Sequence, residues 1–141
     1  MAIDPENPIV RLLGEAAARE TVDPDAAAGA YLRAWEMATD DYEAAMAAHY
    51  VARIQPSAEE RYRWNATALQ KALAVGDDRV AGFLASLHLN LGRSLEDLGR
   101  IEEARTAYGI ARDAATELPD GPYRSTIEDA VRRATIRMGR L

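Results

Sequence analysis

The segment that decides the fold is Ala85–Leu118, which reads ASLHLNLGRSLEDLGRIEEARTAYGIARDAATEL. Apolar residues recur at helical spacing on both sides of Gly99, which separates the two runs. The large and small residues that mark these runs are Leu91, Gly92, Leu95, Ala104, Tyr108 and Ala111. Because glycine and alanine let a neighbouring helix approach closely, the segment predicts two helices packed tightly on each other. In this interpretation Gly92 and Ala104 provide the space and Tyr108 fills it.

The same pattern occurs earlier in the chain. Asp25–Ala38 aligns without gaps with Glu102–Ala115, at an offset of 77 residues. The matched positions are Ala27 and Ala104, Ala30 and Ala107, Tyr31 and Tyr108, and Ala34 and Ala111. Leu13-Gly14 precedes Leu91-Gly92 by 78 residues, and His49 precedes His88 by 39. Three repeats are therefore predicted, at about 7–39, 40–75 and 77–118, with Gly14 in the role of Gly92.

These spacings resemble the tetratricopeptide repeat, a helix–turn–helix unit of about 34 residues. The resemblance implies an all-α fold, a right-handed superhelical α-solenoid of three helix pairs with a capping helix at about 122–139. The resemblance also implies that residues 1–141 form one domain, in which the stacked repeats create a groove. The middle repeat departs from the family's pattern at Arg53, Pro56 and Asn65.

Capping signals predict where the helices begin. Asn7-Pro8 and Asp23-Pro24 each place a capping residue before a proline at the first helical position. Asp40 with Glu43, and Ser57 with Glu60, have the spacing of a capping box. Seven helices are predicted, at about 8–20, 24–39, 41–55, 58–75, 78–98, 101–118 and 122–139.

The composition limits the classes of function. The formal net charge of −6 opposes non-specific binding to nucleic acid. There is no run of about 18 apolar residues and no apolar stretch of signal-peptide length, so we expect no membrane span and a cytoplasmic location. Residues 122–141 carry five arginines against two acidic residues. These cations either suit the dipole of the last helix or contact an acidic partner.

The sequence carries no recognisable catalytic constellation. It lacks the phosphate-binding GxxxxGK[ST] and GxGxxG patterns, the GxSxG nucleophile motif and any cysteine. His49 and His88 are too few for a metal site, and packing in the core is the simpler interpretation. Because equivalent positions on adjacent repeats can face each other, a site shared by the two histidines stays open. We predict no cofactor, no metal and no enzymatic activity.

The resemblance implies that the first helix of each repeat lines a concave groove that binds a partner. The predicted groove residues are Arg11, Tyr50, Ile54, Ser86, Leu89, Asn90, Arg93, Glu96 and Asp97. Tyr50, Ile54 and Leu89 would form an apolar centre, and Arg11 and Arg93 would be the anchors for a carboxylate or an acidic side chain. The Lys and Asn clamp of chaperone-binding members is not present; only Asn90 matches part of it.

Three functions follow as expectations. The first is a non-catalytic scaffold that binds an unidentified protein or peptide in the groove. The second is a self-associating module, with a homodimer as its simplest form, because the ends of a repeat stack are natural docking surfaces. A small-ligand-binding protein or an enzyme is the third, and the missing catalytic motifs oppose the enzyme.

Overall fold

The computed structural model describes residues 4–139, and within this range the chain is all-helical, without a β-strand. The helices are α1 (Pro8–Ala18), α2 (Pro24–Met37), α3 (Asp41–Arg53), α4 (Ala58–Val75), α5 (Asp78–Ala81), α6 (Leu84–Asp97), α7 (Ile101–Thr116) and α8 (Pro122–Met138). The all-α class predicted from the sequence is confirmed.

Each of the seven predicted helices begins at the expected residue. At the first five starts a side chain accepts hydrogen bonds from the exposed backbone N–H groups, whereas α7 and α8 begin without a side-chain cap. Asn7 accepts hydrogen bonds from the backbone N–H groups of Ile9 and Val10, and Asp23 accepts one from Ala26. Asp40 and Ser57 cap α3 and α4 in the same way.

One helix prediction is wrong. The helix expected at 78–98 is broken into α5 and α6, which gives eight helices in residues 4–139 where seven were predicted. Gly82 follows α5 directly, and the chain turns so that Val80 and Phe83 are both buried in the core. Two apolar anchors on either side of a poor helix former favour a bend over a continuous helix.

Neighbouring helices pack as pairs around two adjoining core clusters. α1 packs on α2, α3 on α4 and α6 on α7, while α8 packs on α7 and also touches α6. One core cluster joins α1–α5 and includes Leu87 of α6, and the other joins α6, α7 and α8. α4 packs on α6 and so connects the two clusters.

The predicted close approach is present at Gly92 and absent at Gly14. A Cβ atom added at Gly92 would lie 2.9 Å from two ring carbons of Tyr108, whose side chain is buried. A Cβ atom added at Gly14 would meet no atom within 4 Å. Tyr31 is fully buried, as predicted, but its ring does not lie within 4 Å of the position that a Cβ atom would take at Gly14. The expectation that Gly14 plays the role of Gly92 is therefore wrong, and Gly14 is an exposed helical glycine.

This difference gives a matched pair of substitutions. Gly92→Ala should lower the free energy of unfolding by about 1–2 kcal/mol, because overpacking against the Tyr108 ring outweighs the better helix propensity of alanine. Gly14→Ala should raise it by up to about 1 kcal/mol. Urea unfolding followed by circular dichroism measures both. Equal effects of the two substitutions would contradict the packing described here.

Candidate ligand-binding site between the second and third helix pairs

A hydrogen-bonded triad joins the first helix pair to α3. The hydroxyl of Tyr31 on α2 donates to Glu20 Oε1 at 2.7 Å, and Arg53 Nη2 on α3 donates to Glu20 Oε2 at 2.8 Å. The hydrogen bond from Arg53, and then the one from Tyr31, lowers the pKa of Glu20. Burial and the adjacent carboxylate raise the pKa of Tyr31. The glutamate is therefore ionised and the tyrosine protonated at neutral pH.

The same triad joins the third helix pair to α8. Tyr108 on α7 donates from its hydroxyl to Glu96 Oε1 at 2.7 Å. Arg137 on α8 reaches the same carboxylate with two nitrogen atoms, at 2.9 and 3.0 Å. These bonds, the one from Arg137 first, lower the pKa of Glu96. Each triad thus takes its tyrosine from the second helix of a pair and its arginine from the helix that follows.

The middle pair, α3–α4, lacks both the tyrosine and the glutamate of this triad. Leu69 stands where the repeat offset places Tyr31 and Tyr108, and the chain after α3 runs Ile54-Gln55-Pro56-Ser57 without an acidic residue. A cavity of about 310 Å³ lies at this junction, between α3, α4 and α6. It is lined by His49, Ala52, Arg53, Arg61, Asn65, Asn90, Arg93, Ser94 and Asp97.

The charged groups that line the cavity are three arginines and one aspartate. Arg53 is neutralised by Glu20, and Arg61 lies 4.0 Å from Asp97. Arg93 is exposed, and no carboxylate of residues 4–139 lies within 4.0 Å of it. Its charge acts through space on Glu96, which is itself held by Arg137. The cavity therefore offers a net positive site in a chain of net negative charge.

Contacts between two asparagine side chains and a histidine ring form one wall of the cavity. Asn65 is buried on α4 and donates to the backbone carbonyl of Asn90 at 3.3 Å. Asn90 Nδ2 lies 3.4 Å from Nδ1 of His49. The His49 ring also packs edge-on against Phe83 and Tyr50, at centroid distances of 5.0 and 5.1 Å. Burial, and then the charge of Arg53, lower the pKa of His49 to about 4, so the ring is neutral at pH 7.

Three of the predicted groove residues line this cavity together: Asn90, Arg93 and Asp97. Tyr50 lies next to it, packed against the rings of Tyr31 and His49. Ile54 is half-buried against the first core cluster.

The other four predicted groove residues lie elsewhere. Leu89 is 5% exposed and belongs to the second core cluster, so it offers a partner little surface. Glu96 is engaged by Tyr108 and Arg137. Ser86 Oγ lies 2.7 Å from the hydroxyl of Tyr123, and the O–H of Tyr123 donates to the carbonyl of Gly82. Arg11 is exposed on α1 and does not line the cavity.

Five polar residues of the cavity were not predicted as site residues: His49, Arg53, Arg61, Asn65 and Ser94. Two of them were visible in the sequence. Arg53 and Asn65 are positions where the middle repeat departs from the family's pattern, and both departures point into the cavity lining. The departures were therefore a usable signal of the site.

The two histidines line different cavities. His88 lies on another face of α6, in an apolar cavity of about 370 Å³ that includes Tyr62, Leu91 and Ile110. Burial lowers the pKa of His88 as well, and its Nδ1 atom is buried without a hydrogen-bond partner in the described chain. Nothing brings the two imidazoles into one site. Across residues 4–139, no group of three or more His, Asp or Glu side chains is placed to hold a metal ion.

Most cations of the last helix are paired within the chain. Arg124 lies near Asp120 and Glu128, Arg132 contacts Asp129, and Arg137 binds Glu96. Arg140 lies outside the described residues. The charge of α8 is thus used largely for contacts with its own chain.

Comparison of the chain with models of protein families, with curated proteins and with solved structures finds no match. None of the helices in the described range is both long and apolar enough to cross a membrane.

The buried imidazole predicts a pH dependence of stability. The folded pKa of His49 lies below the ordinary value of 6.5, so the unfolded chain takes up a proton first as the pH falls. The free energy of unfolding should therefore drop by about 2 kcal/mol between pH 7.5 and pH 5 on account of His49 alone.

Urea unfolding at the two pH values, for the natural chain and for His49→Gln, measures this contribution. The glutamates with lowered pKa values, Glu20, Glu43 and Glu96, titrate below this window and do not interfere. The drop in the variant should be smaller by about 2 kcal/mol, and what remains in both proteins includes the contribution of His88, whose pKa is also lowered by burial. The same drop in both proteins would show that His49 is not the buried titrating group.

Proposed function

We propose that this chain is a non-catalytic interaction module of the tetratricopeptide type, and that it binds a peptide or a helix across the face of α3 and α6. The observation that carries the proposal is the arginine-lined cavity at the junction of the second and third helix pairs. It lies between the first helices of two pairs, where the resemblance to the family places a ligand groove. Its volume, about 310 Å³, suits one or two side chains of a bound peptide.

The recurrence of the triad supports a repeat architecture. Arg53 of α3 stands to the first pair as Arg137 of α8 stands to the third pair. The helix that follows a pair is thus held in the same way at both ends of the chain. This regularity is what a stack of similar units requires, since each unit contacts only its neighbours. We infer that α8 caps the stack in the place of a further first helix.

Self-association is the second candidate. Leu32 of α2, Leu73 of α4 and Ile110 of α7 are exposed by 41%, 58% and 43%, and each lies on the second helix of a pair. Apolar side chains exposed on these helices favour contact with another protein surface, of which a second copy of the chain is the simplest.

Selection of short peptides from a displayed library against the purified chain tests the proposed function. Selected peptides should bind the natural protein and lose about tenfold or more in affinity with Arg93→Gln, because that arginine lines the cavity and no carboxylate of residues 4–139 pairs with it. Arg33→Gln is the matched control, since Arg33 is exposed on α2 and does not line the cavity. Its effect should stay within about twofold.

Both variants should keep the melting temperature of the natural chain, and light scattering on the same samples reports the mass. Peptide binding at this face would be contradicted by a library that yields no binder, or by peptides whose affinity is unchanged in Arg93→Gln. A concentration-dependent dimer that Arg93→Gln leaves intact would favour self-association through the other surface.

A further inference from the structure

We infer that the apolar cavity around His88, between α4, α6 and α7, binds a small uncharged aromatic molecule that carries a hydroxyl group. The aromatic ring occupies the apolar space, and the hydroxyl bonds the imidazole of His88. The inference goes beyond the proposed function and does not depend on it, because none of the residues that line this cavity lines the arginine-rich one.

Aliphatic side chains of three helices form most of this cavity. Its volume is about 370 Å³, and its aliphatic lining consists of Leu69 on α4, Leu91 and Leu95 on α6, and Ala107 and Ile110 on α7. Sites for small organic ligands are mostly apolar and contain a few polar groups, so this space suits such a ligand. Ile110 is 43% exposed and marks the opening of the cavity to solvent. An apolar molecule that enters there is removed from water, which favours binding.

His88 supplies the polar group that the ligand hydroxyl meets. Its Nδ1 atom is buried without a hydrogen-bond partner in residues 4–139, whereas buried polar atoms normally have one. Burial also lowers the pKa of the ring, so at pH 7 the imidazole is neutral, with one nitrogen protonated and the other not. A hydroxyl group can both donate and accept a hydrogen bond, and it therefore matches either tautomer of this ring.

The other polar groups on helix α7 are bonded within the chain, which favours an uncharged ligand. Glu103 accepts hydrogen bonds from Nε and Nη2 of Arg100 at 2.9 and 2.8 Å. Thr106 donates to the backbone carbonyl of Glu102 at 3.2 Å. With Glu103 matched and His88 neutral, the lining offers no unmatched charge to an anion or to a cation.

The repeat pattern favours a ring that resembles the tyrosine side chain. Leu69 stands where the repeat offset places Tyr31 and Tyr108, and it lines this cavity. Tyr108 lines a smaller cavity, of about 200 Å³, between α7 and α8. The middle pair thus combines a larger cavity with a leucine in place of the tyrosine. Tyr62 adds an aromatic ring to the lining, and aromatic rings attract one another beyond the effect of burial.

Titration of the ¹⁵N-labelled chain with three molecules of similar shape tests the inference by NMR. p-Cresol is the side chain of tyrosine, toluene lacks its hydroxyl, and 4-methylbenzoate carries a negative charge in its place. We expect p-cresol to shift the amide signals of Leu91 and Ile110 and the ring signals of His88 at pH 7. Its affinity should exceed that of toluene by about fivefold and that of 4-methylbenzoate by about tenfold or more.

Substitutions separate the space from the hydrogen bond. Leu69→Phe fills part of the cavity and should weaken p-cresol by about tenfold, and Ala107→Val does the same from α7. Leu73→Phe is the matched control, because Leu73 lies one turn further along α4, is 58% exposed and does not line the cavity. His88→Leu should keep toluene binding within about twofold and abolish the preference for p-cresol.

Three results would overturn the inference. They are an absence of shifts with p-cresol, equal affinities for p-cresol and toluene in the natural chain, and binding that Leu69→Phe and Ala107→Val weaken no more than Leu73→Phe does. Tighter binding of 4-methylbenzoate than of p-cresol would also overturn it. Arg93→Gln should leave p-cresol binding unchanged, since Arg93 lines the other cavity, so a failure of the proposed function is recognised separately.

Discussion

A tyrosine hydroxyl, a glutamate carboxylate and an arginine guanidinium join each outer helix pair to the helix that follows it. The buried tyrosine needs a partner for its hydroxyl, and the carboxylate meets that need while remaining ionised because an arginine also binds it. Removing one member leaves the others under-satisfied, at a cost of about 1–3 kcal/mol. The contact ties packing within a pair to the placement of the next helix.

The middle helix pair carries different residues at the positions of this triad. Leu69 fills the place of the tyrosine, no acid follows α3, and Asn65 takes a position where the other repeats carry alanine. The second and third pairs are held instead by the packing of α4 on α6 and by the contacts among Asn65, Asn90 and His49. The cavity at this junction includes Arg93, which no carboxylate of residues 4–139 approaches within 4.0 Å. The candidate site thus lies at the middle repeat, whose sequence departs most from the repeat pattern.

Much of the fold could be predicted from the sequence because local chemistry determines it. Capping residues and prolines set the helix starts, and Tyr31 and Tyr108 are buried as their spacing indicates. The break at Gly82 and the absence of contacts at Gly14 depend on how helices meet in space, which spacing alone does not give. Only part of the cavity lining could be predicted, because the rest of it also depends on how the helices pack in space. Arg93, Asn90 and Asp97 share a helix, whereas Arg61 reaches them only through the packing of α4 against α6.

Arg53 and Arg137 are bound by glutamates of the same chain, whereas no carboxylate of residues 4–139 lies within 4.0 Å of Arg93. The most direct measurement follows the guanidinium Nε–H signals of Arg53, Arg93 and Arg137 by NMR while sodium acetate is added, with sodium chloride as the control for ionic strength. We expect the Arg93 signal to shift with acetate, while the signals of Arg53 and Arg137 stay in place because each of these arginines already binds a glutamate. An Arg93 signal that does not shift with acetate, or shifts of equal size at all three arginines, would contradict this difference between Arg93 and the two glutamate-bound arginines.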